Sequence, residues 1–176
     1  MFGFGKKKDD AVVEAVCSKL RPLFGILEHR LGGFPAELAR DPYVLGYVVG
    51  ASTIFTQIET TGRASTELRG RAALAALQTA FASLNMTVQQ ASTAMQSIAG
   101  NAEAKRGSSA ADLVIGVAVG KTDRDNEPEV VFAKKAVEAM PSSLKQSLGG
   151  SDKSLLMHEL QEQVFFAVVE ARYRAK

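Results

Sequence analysis

The sequence predicts an all-α protein, a helical bundle of about five to seven helices around one long central helix. Apolar residues recur at alternating spacings of three and four along most of the chain, which is the period of an amphipathic helix. Residues typical of helix caps and helix ends separate these segments. Residues 111–120 have the β-branched composition of a strand. We predict a helix there, because a lone strand has no partner, and keep a strand as the alternative.

The chain has 176 residues, of which 46% are hydrophobic, so it is long and apolar enough for a sizeable core. We interpret residues 1–8 as a flexible tail and residues 9–176 as a single helical domain. Asp9 or Asp10 is expected to cap the first helix. Pro22 lies within the apolar pattern of that helix and predicts a kink or a break near residues 19–21.

A second helix is predicted to begin at Asp41 and Pro42, a capping residue followed by proline in the first turn. Residues 42–58 carry no charge, but the run is short for a membrane span and contains polar side chains, so a buried core helix is the better interpretation. Gly46 and Gly50 are four residues apart and would let another helix of the bundle approach closely.

The central helix is predicted from Ser65 to Ala99, where apolar residues keep a heptad spacing. No residue from Ala72 to Ala102 is charged, so we expect this helix to be covered by its neighbours or by a second copy of the chain. A homodimer is therefore one predicted outcome. The stripe of interface residues consists of Leu74, Leu77, Phe81, Leu84, Val88, Ala91, Met95 and Ile98.

The C-terminal part is predicted to begin with a polar linker at residues 100–109. A helix should then begin around Glu127 and reach Met140, followed by a turn region over residues 141–150. The last helix should begin at Ser151.

The net charge of +2 lies in the first 40 residues, and its small size argues against a nucleic-acid partner. The single Cys17 cannot form an internal disulfide, which favours a cytoplasmic location. The tail combines apolar anchors with a basic run and predicts weak contact with an anionic membrane, peripheral to its inner face. The residues concerned are Phe2, Phe4, Lys6, Lys7 and Lys8.

Two segments resemble ligand-binding loops but depart from them. Residues 116–122 have three residues between their glycines, where a phosphate-binding loop needs four. Residues 123–127 alternate acids as a calcium loop does, but Pro128 and Lys134 stand where that loop needs Gly and Glu. His29 and His158 have no ligand spacing around them.

The sequence therefore carries no catalytic signature, and we name no catalytic, metal-binding or cofactor-binding residue and no cofactor. The preferred hypothesis is a non-catalytic cytoplasmic module that binds a protein partner through helix-on-helix contacts. The first alternative is a helical bundle that binds an apolar small molecule or a lipid. The second alternative is an enzyme whose site is assembled from dispersed residues.

Overall fold

The computed structural model describes residues 3–120, 123–147 and 151–174. Over these residues the protein is all-helical without a strand, which confirms the predicted fold class and the helix at residues 111–120. It has eight helices when the continuous run from 152 to 173 is counted as one. The helices are α1 (Gly3–Leu31), α2 (Pro42–Glu59), α3 (Thr66–Ala80), α4 (Val88–Ser97), α5 (Ala102–Val119), α6 (Pro128–Ala139), α7 (Ser142–Ser147), α8 (Asp152–Gln161) and α9 (Ala167–Tyr173). Two 3₁₀ helices lie at Ala36–Arg40 and Ala82–Leu84, and a π-helical turn, Glu162–Phe166, joins α8 to α9.

The chain forms two compact units, residues 1–109 and residues 110–176. Helix α5 contributes residues 102–109 to the first unit and residues 110–119 to the second. The single helical domain over residues 9–176 stays a prediction, because two compact units can belong to one domain or to two.

The first unit is built on α1, α2 and α3, each of which packs against the other two. Three phenylalanine rings meet in its core: Phe24 of α1, Phe34 of the following loop and Phe81 at the end of α3. Their ring centroids lie 6.0 to 6.4 Å apart in edge-to-face geometry. Such ring pairs each contribute about 0.5–1.5 kcal/mol beyond the burial of their surface. The cluster fixes the loop after α1 and the end of α3 to the same core.

The start of α1 differs from the prediction. The helix begins at Gly3, so Asp9 and Asp10 lie inside it rather than at its cap. Their carboxylates instead face Arg71 of α3, which forms ion pairs with both. The helix also continues through the exposed Pro22, so the alternative of a break at residues 19–21 was wrong.

Helix α2 begins as predicted. The carboxylate of the buried Asp41 accepts hydrogen bonds from the backbone N–H groups of Tyr43 (2.8 Å) and Val44 (3.2 Å). The buried hydroxyls of Ser52 and Thr56 donate to backbone carbonyls within the helix, so this uncharged segment leaves neither hydroxyl unsatisfied. In the described part of the chain, no helix combines the length and the apolar character that a membrane crossing requires.

The glycines of α2 support a close crossing with α5, as their spacing predicted. A Cβ atom on Gly46 would lie 2.1 Å from the carbonyl oxygen of Ala104, and a Cβ atom on Gly107 would lie 2.0 Å from that of Tyr43. A Cβ atom on Gly50 would lie 2.7 Å from the hydroxyl of Ser108. Only the hydrogen atom of glycine fits where a Cβ atom would lie, so the backbones of α2 and α5 are in direct contact.

The predicted long helix from Ser65 to Ala99 was wrong, because the chain turns in its middle. Helix α3 ends at Ala80, and Asn85 adopts a left-handed conformation with φ of 54°. Thr87 and Gln90 then form a reciprocal capping box that begins α4. Ser65 is the N-cap of α3, as predicted.

Two other boundaries also differ from the prediction. Residues 102–109, predicted as part of a polar linker, are the first turns of α5. The Asn101 carboxamide caps that helix by accepting from the N–H groups of Glu103 and Ala104. The predicted turn region at residues 141–150 contains the short helix α7.

The second unit has its own apolar core. Residues of α5, α6 and α8 pack together there: Leu113, Val114, Val117, Val130, Ala133 and Leu160. Helix α6 packs against α8, and both begin within a residue of their predicted starts.

Candidate functional site

A groove of about 590 Å³ opens on the surface of the first unit. It lies among the 3₁₀ helix Ala36–Arg40, the first turn of α2, and the segment from Leu84 into α4. Its walls are formed by Ala36, Ala39, Arg40, Leu45, Leu84, Met86, Gln89, Gln90, Thr93, Ala94 and Ser97. The volume is within the range of about 300–1,000 Å³ that small-molecule sites occupy.

The groove exists because the chain turns between α3 and α4. The side-chain amide of Gln78 in α3 donates a hydrogen bond to the backbone carbonyl of Met86 at 3.3 Å, which holds the connecting segment against α3. Helix α4 rests on the unit through Ala91 and Ala94. Because alanine fills little space, a gap stays open beside α4 that a larger side chain would occupy.

The lining is apolar at the base and polar at the rim. Leu45 is fully buried, and Leu84 and Met86 are half-buried. The hydroxyls of Thr93 and Ser97 donate to the backbone carbonyls of Gln89 (3.0 Å) and Ala94 (2.8 Å). These hydroxyl protons are therefore engaged within α4.

Arg40 supplies the only charge among the residues that line the groove. Within the described residues its guanidinium makes no hydrogen bond or ion pair. The neighbouring Asp41 faces the N-terminus of α2, where it caps the helix, and Glu37 is exposed and is not part of the lining.

The residues of the predicted interface stripe do not form one continuous surface. Leu77, Phe81 and Ala91 are buried, which agrees with a core role. Val88 is 57% exposed at the start of α4. The other members are half-buried: Leu74, Leu84, Met95 and Ile98. Of the stripe, Leu84 alone is among the residues that line the groove.

The N-terminal basic run lies on α1. Lys7 and Lys8 are exposed in the part of α1 that precedes the Arg71 ion pairs. Residues 4 and 6 belong to the first turns of the same helix, and Phe2 lies outside the described residues. The contact of Phe2, Phe4, Lys6, Lys7 and Lys8 with a membrane stays a prediction.

Acidic side chains in and beside the loop before α6 form ion pairs with basic residues. Arg124 binds the carboxylate of Asp112 and, at 3.1 Å, that of Glu127, while Lys134 lies 3.0 Å from Asp125. Among the described residues no group of three or more Cys, His, Asp or Glu side chains could hold a metal ion. The carboxylates of Asp112, Asp125 and Glu127 are thus engaged by cationic side chains.

The remaining reactive side chains are dispersed. Cys17 is buried on α1. His29 and His158 are exposed on α1 and α8. The segment resembling a phosphate-binding loop is not a loop at its start, because Gly116 is buried within α5, whereas Lys121 and Thr122 lie outside the described residues.

Sequence reasoning missed most of the groove. The signal for the turn was present in Asn85, which is typical of left-handed positions, and in the Thr87–Gln90 pair, which has the spacing of a capping box. Nothing in the sequence pattern connected Arg40 with α4. Comparisons with protein-family models, with curated proteins and with solved structures find no match.

Proposed function

We propose that this chain is a non-catalytic binding module whose first unit holds a small, partly apolar ligand in the groove beside α4. The observation that carries the proposal is the groove itself, about 590 Å³ in volume, with an apolar base and a polar rim in which Arg40 is the one charged residue. Small-molecule sites have this composition, in which apolar walls supply affinity and a few polar groups fix orientation.

The lining argues against catalysis at this place. General acid–base chemistry uses His, Asp, Glu, Lys, Tyr or Cys, and none of these is among the groove residues. Thr93 and Ser97 have no adjacent base there and donate to the helix backbone. The proposal retains the cytoplasmic location expected from the single Cys17.

A protein partner is the second candidate, and one observation favours it. Val88 is among the most exposed large apolar side chains of the described residues, and it lies on α4, which carries no charge. An uncharged helix face with an exposed valine fits a helix-on-helix contact, with a second copy of the chain or with another protein.

The proposed function is tested by filling the groove. Ala36→Leu and Ala39→Leu each add three carbon atoms to the wall, and Ala102→Leu adds the same atoms at an exposed position on α5. Binding of the neutral apolar dye Nile red is followed by fluorescence titration. We expect both groove variants to weaken binding at least several-fold and the Ala102→Leu control to leave it unchanged.

Unaltered dye binding by both groove variants would show that the groove is not the binding site. Circular dichroism melting of each variant separates a blocked groove from an unfolded one. The protein-partner candidate has a different signature, a change in molar mass by light scattering that depends on Val88 and not on Ala36.

A further inference from the structure

The distribution of charge in the groove restricts its ligand further. Ten of the residues that line it are uncharged, and Arg40 is the exception. The two acids closest to Arg40 in sequence do not neutralise it, because Asp41 caps α2 and Glu37 forms no ion pair with it among the described residues. The groove therefore presents one cation that has no counter-charge in its walls.

The position of this cation relative to the apolar surface matters as much as its charge. Arg40 ends the 3₁₀ helix whose Ala36 and Ala39 form one wall, and the buried Leu45 follows in the first turn of α2. A molecule that reaches Arg40 from inside the groove therefore also contacts apolar side chains. This arrangement favours an apolar body with a single anionic end.

We propose that the groove binds a free, single-chain monocarboxylate, with the carboxylate on the Arg40 guanidinium and the hydrocarbon chain against Leu84 and Met86. This inference rests on the proposed function and names the ligand class of the same site. The planar guanidinium presents paired N–H donors that match the two oxygens of a carboxylate. Arg40 is exposed, so the ion pair contributes orientation and selectivity, and the apolar contacts contribute most of the affinity.

The test compares three eight-carbon probes of different charge by calorimetric titration of the full chain. The probes are octanoate, 1-octanol and octylamine, which is cationic at neutral pH. We expect octanoate to bind most tightly and octylamine most weakly. Arg40→Gln should weaken octanoate binding about fivefold at low salt, the upper range for an exposed ion pair, and should leave 1-octanol binding unchanged. The matched control is Arg63→Gln, which removes an exposed arginine that does not line the groove.

Salt provides a second readout, since screening weakens an exposed ion pair but not apolar contact. In the parent protein, the difference in affinity between octanoate and 1-octanol should shrink as the salt concentration is raised. In Arg40→Gln, this difference in affinity should be absent at every salt concentration. Equal binding of octanoate and 1-octanol by the parent would overturn this inference and leave the proposed function standing. Failure of all three probes to bind would overturn both.

Discussion

The close crossing of α2 and α5 leads to a strong prediction for Gly46→Ala. The added Cβ atom would lie 2.1 Å from the carbonyl oxygen of Ala104 and 2.6 Å from its Cα. A carbon–oxygen contact normally needs about 3.3–3.6 Å, so the helices must separate by about 1 Å. Overpacking of this kind costs about 1–3 kcal/mol, and we expect the upper end because the obstacle is backbone and cannot rotate away.

Alanine also has a higher helix propensity than glycine, which returns about 1 kcal/mol. The net destabilisation expected for Gly46→Ala is therefore about 2 kcal/mol. Gly70 supplies the matched control, because it lies inside α3 and a Cβ atom there would meet nothing within 4 Å. Gly70→Ala should stabilise the protein by about 0.5–1 kcal/mol.

Urea unfolding followed by far-ultraviolet circular dichroism measures both changes on one scale. Gly107→Ala, on the other side of the crossing, should behave like Gly46→Ala, since its Cβ atom would lie 2.0 Å from the carbonyl oxygen of Tyr43. If Gly46→Ala is as stable as the parent while Gly70→Ala is stabilised, the backbones do not touch and the described crossing is wrong.

Three further predictions concern the core, α4 and the N-terminus. Phe81→Ala should lower the free energy of unfolding by about 3–5 kcal/mol in urea titrations, because the ring is fully buried against Phe24 and Phe34. A loss under about 1 kcal/mol would contradict the burial of this ring in the phenylalanine cluster. Val88→Glu should change stability by less than about 0.5 kcal/mol, since the side chain is exposed, and should lower the molar mass in light scattering if α4 forms a homodimer. A constant monomer mass for the parent would exclude that dimer. Deletion of residues 2–8 should abolish salt-sensitive binding to anionic liposomes without lowering the melting temperature, because Lys7 and Lys8 are exposed and Val12 is the first buried apolar side chain among the residues whose burial is described. A parent protein that does not bind such liposomes at low salt would refute the membrane prediction.

The exposure of Val88 shows where the heptad pattern misled the prediction. Apolar residues keep spacings of three and four between α3 and α4, although the backbone there is a short 3₁₀ helix followed by a turn and not an α-helix. The spacing of apolar residues along the chain is the same whether a helix continues or changes direction, so it cannot reveal a turn. The local signals at Asn85 and Thr87 were therefore the better guide.

The fold class was predictable because buried faces such as that of α1 follow the helical period, with Val12, Val16, Leu20, Phe24 and Leu27 spaced three or four residues apart. In α3 much of the buried face consists of alanines, including Ala72, Ala73 and Ala76. Helix propensity could not reveal their burial, because alanine has high helix propensity at exposed and buried positions alike. The expectation that a helix with small, neutral flanks is covered by neighbours holds for these three residues.

The groove was not predictable for a related reason. Its walls come from segments that are far apart in sequence, with Arg40 before α2 and Ser97 at the end of α4. A cavity is set by the side-chain volume that is missing between packed elements, and a one-dimensional pattern does not encode that volume. The two glycines of α2 were different, because their four-residue spacing places both on one face of the helix, where a neighbouring helix can approach closely.

The occupancy of the groove can be tested most directly with methyl-labelled methionine. The chain has five methionines, and Met86 lines the groove while Met140 and Met157 belong to the second unit. In methyl nuclear magnetic resonance spectra, titration with octanoate should shift the Met86 signal saturably and leave those of Met140 and Met157 in place. The assignment of the ligand to this groove would be contradicted if the Met86 signal did not move at octanoate concentrations that saturate binding in calorimetry. Equal shifts at Met86, Met140 and Met157 would contradict it as well.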